Sequence, residues 1–166
     1  MLNLSHCENS DNLLLAIAST CPSLVELHVD NAPDFGEAAV GALAKGCPRL
    51  AHLQIYNSCG LLTDAAVIAL AECPLTTLNL GHAKRLTDAA VVQLASKRPG
   101  LTYLSLYGST LLTDAAIEAL SSSCPELTIL RLAQCPRLTD EALRLLEQGC
   151  PKLGAKPFRW EMSALR

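Results

Sequence analysis

The chain has 166 residues, half of them apolar but only 4% aromatic, and a formal net charge of −3 at neutral pH. That length can bury a sizeable core, while the acidic balance excludes a nucleic-acid binder that relies on clustered Lys and Arg against phosphate. No apolar run approaches the ~20 residues of a membrane-spanning helix, and the opening MLNLSHCENSDNLLLAIAST has no basic start or small-residue cleavage site, so the expectation is a cytoplasmic or nuclear protein without a membrane partner.

Charge is spread unevenly. Residues 1–44 hold Glu8, Asp11, Glu26, Asp30, Asp34 and Glu37 and no Lys or Arg, a local charge of −6 that leaves +3 for residues 45–166. One end of the molecule should be acidic and the other mildly basic.

In chain order, Leu2, Leu4 and Cys7 form a partial copy of a unit that is most complete at Leu127–Pro151, LTILRLAQCPRLTDEALRLLEQGCP. Within that unit, alternation sends Leu130 and Leu132 to one face of a short strand and Ile129 and Arg131 to the other. Leu138, Ala142, Leu143 and Leu146 then recur at helical spacing. Units begin at Leu24, Leu50, Leu75, Leu101, Leu127 and, weakly, Leu153, in steps of 26, 25, 26, 26 and 26 residues. The predicted organisation is a repeat domain over residues 1–152, with a partial first repeat at 1–23, and a degenerate cap or tail at 153–166. Because the first copy is incomplete and no polar cap precedes it, the reading is a piece of a longer protein.

Each helix is predicted to start at a Leu-Thr-Asp motif, at Leu62-Thr63-Asp64, Leu86-Thr87-Asp88, Leu112-Thr113-Asp114 and Leu138-Thr139-Asp140, with the Thr-Asp pair capping its free N–H groups. The motif decays to Ser10-Asp11-Asn12 and Phe35-Gly36-Glu37, where looser corners are expected. Helices should stop at Cys21-Pro22, Cys47-Pro48, Cys73-Pro74, Arg98-Pro99, Cys124-Pro125 and Cys150-Pro151, since proline cannot continue a helix. Eight cysteines could signal metal or redox chemistry, but there is no C-x-x-C pair and Arg98 replaces one member, so they read as free thiols in a buried layer. In the tail, Phe158 or Trp160 could cover the last hydrophobic layer; the competing reading is a disordered end or a short partner-binding motif.

The pattern L-x-x-L-x-L-x-x-C-x-x-L-T-D-x-A-[LVI]-x-x-L-x-x-x-C-P, running over residues 2–151, resembles the cysteine-containing leucine-rich repeats of the F-box/leucine-rich-repeat superfamily. The resemblance implies an α/β solenoid, a right-handed superhelix with a parallel sheet on its concave side and helices on its convex side. It also implies protein binding without catalysis, most closely as the substrate-recognition region of an SCF-type ubiquitin ligase receptor or an F-box-less relative. The chain holds no F-box, so a Skp-type adaptor is implied only if one lies outside these residues. A structural scaffold in a cytoskeletal or axonemal assembly is the alternative.

On such a fold the outward strand residues form columns. These read Glu26, His52, Thr77, Tyr103, Ile129; then Asn3, His28, Gln54, Asn79, Ser105, Arg131; then Ser5, Asp30, Tyr56, Gly81, Tyr107, Ala133, with His6, Asn31, Asn57, His82, Gly108 and Gln134 at the corners. All three tyrosines and all four histidines fall on these positions. The predicted protein-binding face is therefore Glu26, His28, Asp30, His52, Gln54, Tyr56, Asn79, Tyr103, Ser105, Tyr107 and Arg131, because tyrosine supplies large, rigid, amphipathic contact area. The plainer reading is cross-strand pairing that stabilises the sheet. Neither a cofactor nor a metal is expected. His6, His28 and His52 sit at shifting positions with no thiolate or carboxylate in register, and no phosphate loop, H-E-x-x-H or G-x-S-x-G motif occurs.

Overall fold

The computed structural model describes residues 1–7, 10–31, 36–57 and 60–155. Among the described residues six short strands alternate with six helices: β1 (Leu2–Asn3), α1 (Ser10–Thr20), β2 (Glu26–His28), α2 (Glu37–Gly46), β3 (His52–Gln54), α3 (Asp64–Leu70), β4 (Thr77–Asn79), α4 (Asp88–Lys97), β5 (Tyr103–Ser105), α5 (Asp114–Ser123), β6 (Ile129–Arg131) and α6 (Asp140–Gly149). A 3-10 turn at Pro151–Ala155 follows. The strands form one parallel sheet in sequence order, and each helix packs on the next.

Equal repeat length dictates the register. Leu2, Leu27, Leu53, Leu78, Leu104 and Leu130 pair in one row, so every strand turns the same face inward. Behind that row, Leu62, Leu86, Leu112 and Leu138 and the helix residues Leu43, Leu70, Leu94, Leu120 and Leu146 are buried in the same core. One unit alone could not bury enough apolar surface, and stacking supplies the missing faces. Leu153 still belongs to the core. Phe158 and Trp160, proposed as a cap from sequence, lie outside the described residues, as does Cys59.

Each corner after a strand contains one residue in the left-handed region: His6 (φ 64°), Asn31 (58°), Asn57 (56°), His82 (69°), Gly108 (72°) and Gln134 (60°). Gly adopts that conformation freely and Asn and His more readily than most residues, which leaves Gln134 as the least suited. The corner N–H extends the ladder, as in His82 N–H to the Tyr107 carbonyl at 2.6 Å.

The structure corrects the reading of the Thr-Asp pair. Thr87, Thr113 and Thr139 cap their own helices, accepting from the N–H of Ala89, Ala115 and Glu141. The aspartates instead reach forward to the next unit. Asp64 accepts from the Thr87 N–H at 2.8 Å and its hydroxyl at 2.5 Å, and Asp88 accepts likewise from Thr113 at 2.8 and 2.6 Å. Asp114 holds Thr139 in the same way, at 2.9 Å to its N–H, and Asp11 accepts from the Gly36 N–H at 2.7 Å. Thr87, Thr113 and Thr139 thus each cap one helix and donate to the unit before, whereas Thr63 makes no side-chain cap bond, against expectation, and only donates, to Glu37 Oε2. At the decayed motif the α2 cap is Gly36, which has no side chain to contribute.

The cysteines also do more than fill space. Cys47 Sγ donates to the Cys21 carbonyl at 3.4 Å, Cys73 to Ala44 at 3.4 Å, Cys124 to Arg98 at 3.6 Å and Cys150 to Cys124 at 3.4 Å. These carbonyls belong to the last helical turns and the corners that follow, where backbone acceptors lack intrahelical partners. Arg98 keeps the arrangement with different chemistry, its Nε donating to the Ala71 carbonyl at 2.5 Å.

Ser109 breaks this economy. Its side chain is fully buried, and Oγ has no hydrogen-bond partner among the described residues. The same slot holds Cys135 one unit on, whose longer side chain reaches the Leu106 carbonyl at 3.2 Å, and Ala83 one unit back. An unmatched buried hydroxyl costs about 1–3 kcal/mol. Ser109→Ala is expected to raise the unfolding free energy by about 1 kcal/mol and Tm by about 3 °C. A lower melting temperature in a thermal scan would refute the argument.

Candidate protein-binding face

The strand register reproduces the first two columns. Glu26, His52, Thr77, Tyr103 and Ile129 are paired in one row, and His28, Gln54, Asn79, Ser105 and Arg131 in the next. Both rows flank the buried leucine row in sequence and therefore project from the opposite face of the sheet, the inner wall. The third column lies just past the strands, where the ladder continues through Asn31 N–H to Tyr56 O at 3.0 Å and Asn57 N–H to Gly81 O at 3.0 Å.

Three rings gather at the middle of this wall. His82 lies edge-on to both Tyr56 and Tyr107, with centroids 5.3 and 4.9 Å apart, and the tyrosine rings are 6.5 Å from each other. The Tyr56 hydroxyl is 3.3 Å from His82 Nε2. Two glycines make room for them. A Cβ on Gly81 would fall 2.5 Å from Tyr56 Cδ2, and one on Gly108 would fall 2.9 Å from His82 Nδ1. The list of face residues drawn from the sequence left out His82, although it stood among the corners. Its signal was the pair of glycines, Gly81 between two tyrosines in the third column and Gly108 beside His82 in the corner column.

The remaining residues separate. Tyr103 stands under Arg131, whose guanidinium carbon is 6.0 Å from the ring centroid. His52 Nδ1 pairs with Thr77 Oγ1 at 3.0 Å, and His28 Nε2 with Glu26 Oε1 at 3.0 Å. Asp30 helps to build the wall, since Oδ1 accepts from the Tyr56 N–H at 2.8 Å; Asn79 Oδ1 does the same for Gly81 at 3.1 Å. Gln54 is half-buried in its row. Ser105 is the exception to the predicted face. It is only 2% exposed, being a short side chain between the much larger Tyr103, two places before it, and Tyr107, two places after.

The thiols are poor nucleophiles. Burial pushes Cys73 and Cys124 up to about 11, with a smaller push from neighbouring Cys47 and Cys150 respectively, and burial raises Cys47, Cys135 and Cys150 as well. They remain protonated at neutral pH and act as hydrogen-bond donors. All seven described cysteines are free. Among the described residues no three His, Cys, Asp or Glu side chains are grouped as metal ligands, and no helix is long and apolar enough to cross a membrane.

A strand, a corner and a helix repeated in register, with solved repeat proteins of the same architecture, decide the fold. The matching chain of the yeast Rad7–Elc1 complex has a TM-score of 0.55 at 18% identity, covering 87% of this chain and 51% of that one. The tropomodulin C-terminal domain of Caenorhabditis elegans has a TM-score of 0.62 at 12% identity, covering 87% and 93%. The chain is an α/β leucine-rich-repeat solenoid. At such identities the likeness shows the fold alone. In sequence, the solenoid is similar to a transport inhibitor response 1-like protein of Oryza sativa subsp. japonica, 32% identical over 107 residues. That match covers 61% of the solenoid chain and 18% of the rice protein, so the chain spans less than a fifth of its relative's length. No protein-family profile matches.

Proposed function

We propose that the solenoid is a protein-recognition module whose partner sits on the inner wall. The observation that carries this is the packing of Tyr56, His82 and Tyr107 on one half-exposed patch in a chain that is 4% aromatic. Large rigid side chains gathered centrally on a surface are what partner binding uses. The finer reading joins the sequence resemblance to the similarity with the rice protein. It makes the chain the substrate-reading region of an SCF-type ubiquitin ligase receptor, or of an F-box-less relative, with no catalysis of its own. A Skp-type adaptor would be engaged only through an F-box elsewhere in the protein, and the compartment would be cytoplasm or nucleus.

The test compares affinity capture by the wild type and by a Tyr56→Ala/Tyr107→Ala variant. Loss of two central tyrosines is expected to weaken a captured partner by about thirtyfold or more. The fold should survive, because the rings lie on the surface of the sheet and their mutual contacts contribute only about 0.5–1.5 kcal/mol per pair. Equal retention of every partner by both proteins would reject the inner wall as the binding face.

A further inference from the structure

Resting on that reading, we infer that the inner wall takes an extended polypeptide segment of bipolar charge, cationic at the end over β2 and anionic at the end over β6. The wall has the dimensions of one extended chain. Its strands are three residues each, about 10 Å wide, and β2 to β6 spans four strand spacings, about 19 Å, the length of roughly six extended residues.

Charge is segregated along that strip. Glu26 and Asp30 stand at the β2 end, and Glu26 keeps 34% of its side chain exposed despite its bond to His28. Asp30 spends Oδ1 on the Tyr56 N–H, which leaves its second oxygen for a cation. The three columns carry no Lys, Arg, Asp or Glu on the units of β3, β4 and β5, where the side chains are His52, Gln54, Tyr56, Thr77, Asn79, Tyr103 and Tyr107. At the far end Arg131 is exposed, and its guanidinium lies over Tyr103 on the wall. A ligand meeting all of this presents a cation, then an aromatic or proline residue against Tyr56, His82 and Tyr107, then an anion. A uniformly charged segment would set like charges together at one end, which costs affinity. The −6 carried by residues 1–44 attracts the cationic end from a distance.

The experiment pans a phage-displayed random 12-residue peptide library on the full chain. Wild type is expected to select peptides with Lys or Arg and Asp or Glu separated by about four to six positions around an aromatic or proline residue. Glu26→Lys sets a Lys beside Asp30 and so cancels the negative charge of the β2 end; it should weaken those peptides about fivefold to tenfold and abolish selection of Lys or Arg at that end, while Arg131→Glu should shift selection to peptides basic at both ends. Selected peptides that lack the charge pair, or that bind both reversal variants as tightly as wild type, would overturn the bipolar ligand. The parent reading fails separately. It falls if no peptide is selected, or if the selected peptides bind Tyr56→Ala/Tyr107→Ala undiminished.

Discussion

Gly149→Ala is expected to destabilise the solenoid by about 2 kcal/mol, against the ordinary trend for a helical glycine. Removing such a glycine normally stabilises by about 0.5–1 kcal/mol, because alanine loses less backbone entropy. Here a Cβ would stand 2.0 Å from the Ser121 carbonyl oxygen and 2.5 Å from its carbon, so the backbone of α5 must move. Overpacking a rigid site costs about 1–3 kcal/mol, occasionally more, and that outweighs the entropy gain. Gly46→Ala meets the Ala18 carbonyl oxygen at the same 2.0 Å and should behave alike. Gly41 in α2 is the internal control, with nothing within 4 Å of its Cβ position. Gly41→Ala should be stabilising by about 0.5 kcal/mol. Urea midpoints for the three variants decide the matter, and a stabilised Gly149→Ala would mean that the helices are not held in this close approach.

The second large effect is a loss of stability in alkali. The thiols of Cys73 and Cys124 lie at about 11 in the folded chain and at 9.0 when unperturbed, chiefly because burial disfavours the thiolate. A group whose proton is held more tightly in the fold contributes stability that is fully present below the unfolded value. That contribution is lost as pH rises, because the unfolded chain gives up its protons first. Each of the two thiols is expected to remove about 1.4 kcal/mol per pH unit between pH 9 and 11. Cys47, Cys135 and Cys150 push in the same direction. Urea midpoints measured from pH 8 to pH 10.5 should therefore fall more steeply for wild type than for Cys73→Ala/Cys124→Ala. All other groups are common to both proteins and drop out of the difference. Parallel profiles would show that these thiols are not desolvated in the folded chain.

Much of the inner wall was legible from residue spacing. Parallel strands joined by connections of nearly constant length stack in register, so aligning Leu24, Leu50, Leu75 and Leu101 was enough to place Glu26, His52, Thr77 and Tyr103 in one row. The helix stops at Cys21, Cys47, Arg98, Cys124 and Cys150 were legible for a similar reason, since proline acts on its own neighbours, whereas α3 ends earlier than the predicted Cys73 stop, at Leu70. Ser105 was misplaced because alternation says which face a residue occupies, not whether the side chains two places away close over it.

The bonds between units were not legible. Thr113 and Asp114 are adjacent in sequence and both suit a helix start, yet Asp114 turns to Thr139, 25 residues on. Nothing local separates a carboxylate that caps its own helix from one that bonds across the gap, because that depends on the spacing and tilt of neighbouring helices. The thiol donors and the substitution by Arg98 depend on the same spacing. His82 was overlooked for a related reason: it joins Tyr56 and Tyr107 only because Gly81 and Gly108 leave lateral space between strands. By itself, then, the repeated pattern determined the order of the strands, the residues in each row and the location of the core, all of which follow from periodicity and the burial of leucine. Tertiary structure alone decided which polar groups meet across neighbouring units and which rings converge, because those outcomes turn on distances of an ångström or two between segments about 26 residues apart.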